Sequence, residues 1–349
     1  MTKKNNPNLT PISQLGEFGL IDRRTADLKT KHNTTVKSIG DDAAVLKYGD
    51  KLTLVSTDLL IENVHFNLTY TPLKHLGYKA AVVNISDIVA MNGTPKHMTV
   101  SIALSSKFSF EAINEIYDGI KLACDTYDVD IIGGDTSTSP SGLFISITII
   151  GEALPDEVVY RNTAKAGDLI YVSGDLGAAY MGLLLLERER HVFNANPDMQ
   201  PDLDGMDYLL ERQLKPEARL NLIKLLKKNN IKPTAMIDIS DGLASEIMHI
   251  CKQSDTGCHI YDEKIPIDAL TSSIADNFKI LPVVAALNGG EDYELLFTIN
   301  QTDYEKIKDL TEFSPIGYIT EADSGMNLIG KNNEQIALKA QGWDAFLNK

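Results

Sequence analysis

The strongest constraint in this chain is where its aspartates fall. Short apolar runs are repeatedly followed or preceded by acids flanked by glycine or hydroxyl residues: Gly40-Asp41-Asp42, Ser56-Thr57-Asp58 after Leu52–Val55, and Gly133-Gly134-Asp135-Thr136 after Val129–Ile132. Two more follow, Asp238-Ile239-Ser240-Asp241-Gly242 after Ala235–Ile237, and Gly289-Gly290-Glu291-Asp292 before Tyr293. Each alone is also ordinary cap or turn chemistry, since Asp and Ser cap helices and Asp-Gly makes turns. Five together predict acids gathered at strand ends, where mixed sheets expose their ligand-binding edge.

The intervening pattern is mixed α and β, with no internal repeat. Period-two alternation or short apolar runs predict strands at Lys51–Ser56, His97–Leu104, Leu143–Ile150, Leu169–Ser173, Ala235–Ile239 and Tyr293–Ile299. Helices are predicted from Thr71-Pro72 to a stop at Asn92-Gly93, from Ser109 to Tyr127, and from Gly242 to Ser254. A chain of 349 residues, at about 150 residues per domain, suggests two domains. The expected boundary lies near Gly151–Ala166, giving domains 1–152 (with a loose tail at 1–13) and 153–349. His191–Gly205 reads as a surface insertion.

Asp87 is the most informative acid. On the helix after Pro72, the stripe Leu73, Leu76, Ala80, Val83 and Ala90 includes Asp87, with no Lys or Arg one turn away on that face. A buried carboxylate without a partner costs several kcal/mol, so a metal is the expected partner. The formal net charge is −15, from 33 Lys+Arg and 48 Asp+Glu. Such a surface repels phosphate backbones and anionic lipid, so neither nucleic acid nor a membrane is an expected partner. Any anionic ligand needs a metal bridge, and carboxylates with hydroxyl neighbours suit Mg²⁺. Nucleotide chemistry follows as the expectation, yet the chain has no P-loop, no Gly-x-Gly-x-x-Gly after a strand, no protein-kinase signature and no Gly-x-Ser-x-Gly. Cys124, Cys251 and Cys258 form no disulfide framework or zinc motif, and the start has no apolar leader, so the cytoplasm is the expected compartment.

In order, Leu15-Gly16-Glu17-Phe18-Gly19-Leu20-Ile21, Gly40-Asp41-Asp42-Ala43, Ser56-Thr57-Asp58, His65-Phe66, Asn84-Ile85-Ser86-Asp87, Gly133-Gly134-Asp135-Thr136, Asp238-Ile239-Ser240-Asp241-Gly242-Leu243 and Gly289-Gly290-Glu291-Asp292-Tyr293-Glu294-Leu295 resemble the thiamine-monophosphate kinase family from about Leu15 to Phe346. The resemblance implies an α+β, two-domain fold of the aminoimidazole ribonucleotide synthetase-like superfamily, with N-terminal domains pairing into a dimeric β-barrel. It implies direct in-line transfer from ATP to thiamine monophosphate. Carried over by position, Asp42, Ser56, Thr57, Asp58, Asp87, Asp135, Asp238 and Asp241 are the implied Mg²⁺ ligands. Tyr117, Gly134, Asp135, Arg161 and Ser240 are the implied ATP contacts, and His65, Glu291 and Trp343 the implied contacts to thiamine monophosphate. No side-chain nucleophile is implied. Asn162-Thr163 stands where the family usually has Ser-Gly.

Within the superfamily, a carbamoyl dehydratase of hydrogenase maturation would need a C-terminal cysteine, and selenophosphate synthetase an early reactive one; this chain has neither. An aminoimidazole ribonucleotide synthetase and a non-catalytic Mg-nucleotide module remain the alternatives.

Overall fold

The computed structural model describes residues 12–342. Two mixed sheets organise it. The first contains β1 (Thr35–Lys37), β2 (Ala44–Lys47), β3 (Leu52–Ile61), β4 (Thr94–Leu104), β5 (Asp130–Thr138) and β6 (Phe144–Ala153), in the order β1-β2-β3-β6-β4-β5. Only β4 and β5 run parallel, joined by a helical crossover. The second contains β7 (Leu169–Ser173), β8 (Ala235–Asp238), β9 (Thr256–Tyr261), β10 (Leu295–Ile299), β11 (Phe313–Glu321), β12 (Met326–Ile329) and β13 (Gln335–Ala337), in the order β13-β12-β9-β11-β7-β10-β8. Among the described residues the first sheet is open, with β1 and β5 as its edges, so one chain closes no barrel.

Seven helices matter for the site: α1 (Gly16–Thr25), α2 (Leu73–Ala90), α3 (Phe110–Tyr127), α4 (Ala178–Ala195), α5 (Asp207–Leu214), α6 (Leu220–Lys228) and α7 (Leu243–Ser254). Ser109 caps α3 by accepting the Ala112 N–H at 3.2 Å. The helices α2 and α3 pack with backbones in close approach. A Cβ on Gly77 would lie 1.9 Å from the Ile116 carbonyl oxygen, and one on Gly119 would lie 1.9 Å from that of Lys74, so both positions require glycine.

The position of α2 differs from the stripe read in its sequence. It is buried on nearly every side, from Leu76 to Ala90 with Asp87 the one partly open residue, because it touches β3, β4 and β6 of the first sheet and β8, α5 and α6 of the other half. A helix apolar all round is a helix enclosed by protein. One apolar core accordingly runs from Val45 and Ile147 through Ile85 to Met236 and Phe297. Among the described residues no single helix is long and apolar enough to cross a membrane.

Two strand-end readings are corrected. The strand expected at Lys51–Ser56 instead runs for ten paired residues, Leu52–Ile61, so Ser56-Thr57-Asp58 lie inside β3, where β6 pairs with them at Ile149, Thr148 and Ile147. Likewise Gly133-Gly134-Asp135-Thr136 lie inside β5, paired with β4. The stretch His191–Gly205 also differs, since α4 continues through Ala195 before the chain loosens.

Candidate active site

Neighbouring residues of α2 reach opposite ways, because successive helical positions turn by about 100°. Towards the first sheet, the Ser56 hydroxyl donates to Asp87 at 2.6 Å and the Asp58 N–H donates to the Asn84 side-chain oxygen at 3.0 Å. Towards the second, the Ser86 hydroxyl donates to Asp238 at the end of β8. Asp42, in the loop before β2, completes the group: one carboxylate oxygen each from Asp42, Asp87 and Asp238 lie within 4.8 Å of one another.

Such crowding shows in their acidity. Burial, then the charges of Asp58, Asp238 and Asp42, hold the Asp87 carboxyl well above the ordinary range. Burial and Asp42 push Asp238 up to about 8, and burial pushes Asp58 up to about 6. Among the described residues the cation at the cluster is Arg161, whose Nε and Nη2 grip Asp42 at 3.0 and 2.5 Å and whose backbone N–H reaches Asp41 at 3.3 Å. One guanidinium facing several convergent carboxylates leaves an excess of hard oxygen donors. That donor set fits Mg²⁺.

Asp58, Asp87, Asp238, Ser240 and Asp241 line a cavity of about 740 Å³ that continues to His65 and Glu291. Ser240 and Asp241 are set by Glu246 of α7, which accepts the Asp241 N–H at 2.8 Å and the Ser240 hydroxyl at 3.5 Å. At the far end, His65 Nδ1 accepts the Ile61 N–H at 3.0 Å, so the neutral ring carries its proton on Nε2. Burial holds its pKa below the usual value, partly opposed by the charge of Glu291. The Glu291 carboxylate is held by Lys79 Nζ at 3.0 Å and Gln213 Nε2 at 2.6 Å. Beside it, Glu187 of α4 accepts from the Tyr70 hydroxyl at 2.8 Å and pairs with Arg190 at 2.6 Å.

Thr57 and Leu59 also border the cavity, but alternation along β3 turns their side chains to the sheet face opposite Asp58, and the Thr57 hydroxyl donates to the Ile147 carbonyl at 3.0 Å. The remaining expected residues stand elsewhere. The register Leu59–Ser146–Ser101–Asp135 puts Asp135 on that same open face, three strands or about 14 Å from β3. Gly134, Asp135 and Tyr117 do not line the cavity. Asp135 is exposed on its edge strand, and Tyr117 is partly buried against the core. Trp343 lies outside the described residues.

Sequence reasoning missed Lys79, Gln213, Tyr70, Glu187, Arg190 and Glu246. Only Lys79 carried a local signal: a lone lysine beside the apolar run Ala80–Val83, where a charge needs a buried partner.

Comparison with known proteins follows the same lines. Residues 40–153 match the family model described as AIR synthase related protein, N-terminal domain. The thiamine-monophosphate kinase of Bacillus subtilis (strain 168) is 34% identical over 340 residues, covering 95% of this chain and 100% of that protein. A solved structure described as "AaThiL complexed with AMPPCP and TMP" superposes with a TM-score of 0.82 at 31% identity, covering 97% of this chain and 99% of the other. The crystal structure of thiamine monophosphate kinase from Aquifex aeolicus gives a TM-score of 0.75 at 30% identity, over 94% of this chain and 100% of that one. At this identity over nearly its whole length, the chain belongs to the thiamine-monophosphate kinase family.

Proposed function

We infer that this chain is an ATP-dependent kinase that converts thiamine monophosphate to thiamine diphosphate, by direct in-line transfer. The observation that carries the reading is one cavity with two unlike ends. Asp42, Asp87 and Asp238 converge at one, and His65 and Glu291 stand at the other. The acceptor is a phosphate monoester with second pKa ~6, largely ionised at neutral pH, so no general base is needed. The difficulty is one anion approaching another. Mg²⁺ held by these carboxylates would screen that repulsion and neutralise the leaving diphosphate.

The chain's own contribution is placement. Asp42, Asp58, Asp87, Asp238 and Asp241 supply the oxygen donors, with Ser56 fixing Asp87. Arg161, which grips Asp42 in this structure, and Ser240 would contact the ATP phosphates. His65 and Glu291 orient the acceptor so that its phosphate faces the cluster, with Trp343 as an aromatic wall.

The Thr57 side chain, Tyr117, Gly134 and Asp135 join the site through a second copy of the chain. The open face of the first sheet carries Val55, Leu59, Ile61, Phe144 and Ile150 with no layer of the described residues over it, Leu59 being 49% exposed. Pairing of two such faces covers that apolar surface, builds the dimeric barrel and brings each Asp135 to the other copy's cluster. The domain division at 152/153 and a cytoplasmic location belong to the same reading, the latter supported by three free, buried cysteines.

A coupled assay of ADP release tests the function. Release that requires both thiamine monophosphate and Mg²⁺ supports it. Release of ADP with no dependence on thiamine monophosphate overturns it.

A further inference from the structure

A buried ammonium in the middle of an apolar helix needs a reason. Lys79 is 4% exposed, between Tyr78 at 2% and Ala80 at 0%. Its Nζ meets two partners from distant parts of the chain, Glu291 Oε1 at 3.0 Å and the Gln213 carbonyl at 2.9 Å. Gln213, itself 4% exposed, donates through Nε2 to the other Glu291 oxygen at 2.6 Å. A carboxylate only accepts, so the amide nitrogen must be the atom facing it, and the amide orientation is thereby determined. Both oxygens of Glu291 are held, one from α2 and one from α5.

The backbone under Glu291 is held too. Its φ is 58°, a left-handed value that a residue with a side chain seldom adopts, and its N–H donates to the Ser240 carbonyl at 2.7 Å. The next residues are tied down on their other side. Arg212 Nη1 donates to Glu294 at 2.8 Å and Arg212 Nη2 lies 3.5 Å from Asp292. The carboxylate itself is then placed by Lys79 of α2 and Gln213 of α5. Lys79 and Asp87 are eight residues apart on that helix, or about 12 Å along its axis. One rigid element therefore carries a carboxylate of the metal-binding end and the anchor of the acceptor end.

We propose that Lys79 is a positioning residue: with Gln213 it locks Glu291 to α2 and so fixes the distance between the acceptor's binding end and the carboxylate cluster. It touches no reacting atom. The inference rests on the reading that Glu291 contacts thiamine monophosphate.

A double-mutant cycle on the full-length enzyme tests it, with KM for thiamine monophosphate and for ATP read separately. Lys79→Met should raise the first by about ten- to a hundredfold and leave the second within about twofold, since a charge-assisted hydrogen bond to Glu291 is lost. Lys79→Arg should recover part of that loss. Gln213→Leu, which leaves no unpaired lysine, should give a smaller rise of the same selectivity and covers the case in which Lys79→Met does not fold. In a Glu291→Ala background neither substitution should add anything. If the effects of Lys79→Met and Glu291→Ala multiply, or if ATP and thiamine monophosphate suffer alike, Lys79 is only structural. If Glu291→Ala itself leaves the acceptor KM unchanged, the reading of Glu291 falls and this inference with it. A rise for Glu291→Ala with none for Lys79→Met or Gln213→Leu overturns the positioning role alone.

Discussion

The two ends of the cavity treat buried charge in opposite ways. At the acceptor end every carboxylate described has a protein partner: Glu291 has Lys79 and Gln213, and Glu187 has Tyr70 and Arg190. At the cluster end, among the described residues, Asp87 and Asp238 receive hydroxyl donors from Ser56 and Ser86 and face one another's charge, with Arg161 offsetting part of it at Asp238. Charges taken out of water are tolerated when paired. One end is therefore finished by the protein alone, while the other would be completed by a cation. On the proposed function, the same chain uses acids as fixed recognition groups in one place and as metal ligands in the other.

Breaking the cluster should have the largest effect. Asp87→Asn should lower phosphoryl transfer by at least about a hundredfold, since it removes an oxygen donor from the site that offsets the transferring charge. Without Mg²⁺ the same variant should melt at a higher temperature, because a carboxyl held well above its ordinary range by burial and neighbouring aspartates has been removed. Transfer at the wild-type rate would take Asp87 out of the metal site.

A second test sharpens the placement of Asp135, which one chain leaves about 14 Å from β3 on the opposite face. Asp135→Asn should be as inactive as Asp87→Asn. Co-expressed, the two variants should recover about a quarter of wild-type activity: about half of randomly paired dimers are mixed, and each mixed dimer has one intact site. A mixture as inactive as its components would mean that Asp135 serves its own chain.

The pH dependence of stability carries the comparison to the unloaded protein. Asp58 and Asp41 are pushed up to about 6 and Asp238 up to about 8, all above the ordinary carboxylate value. Groups whose folded pKa is raised contribute stability that is fully present below the unfolded value and is lost as pH rises through the folded one. Mg²⁺-free protein should thus lose stability between about pH 4 and pH 8, by a few kcal/mol in order of magnitude. Asp238→Asn should flatten the upper part of that fall, as should saturating Mg²⁺. Chemical denaturation across the range, with and without Mg²⁺, gives the slopes, and equal slopes for wild type and variant would remove Asp238 as a cause.

How much of this was legible beforehand follows from range of interaction. The helices α3 and α7 begin and end where capping and periodicity put them, and α2 does so within a residue, because those signals are local. The cluster was legible as well: Asp42, Asp87 and Asp238 each stood out by its neighbours in sequence. The length of β3 was not, because Ser56-Thr57-Asp58 are kept in the strand by partners ninety residues away in β6. That pairing also sets which of the three faces Asp87, so Asp58 and Thr57 part company although sequence treats them as one motif. Lys79 was visible as an anomaly, but its partners Gln213 and Glu291 come from elements that only the folded chain brings to α2.

The smallest effect is expected at the acceptor end, where no charge is left over. His65 Nδ1 accepts the Ile61 N–H at 3.0 Å, so the ring is fixed in orientation and its Nε2 proton is the one offered to a ligand. Protonation would put a second hydrogen where Ile61 already donates, and burial disfavours the cation further. The ring is accordingly neutral at pH 7 and above. His65→Ala should raise KM for thiamine monophosphate by roughly three- to tenfold, the range for losing one neutral hydrogen bond and some packing, while KM for ATP stays put. Between pH 7 and 8.5 the wild-type acceptor KM should show no titration from this residue. Nitrogen chemical shifts of the imidazole give the direct check: a neutral ring protonated at Nε2 agrees with this account. A ring protonated at Nδ1 would mean that Ile61 no longer holds His65, and the contrast between a finished acceptor end and an open metal end would lose one of its supports.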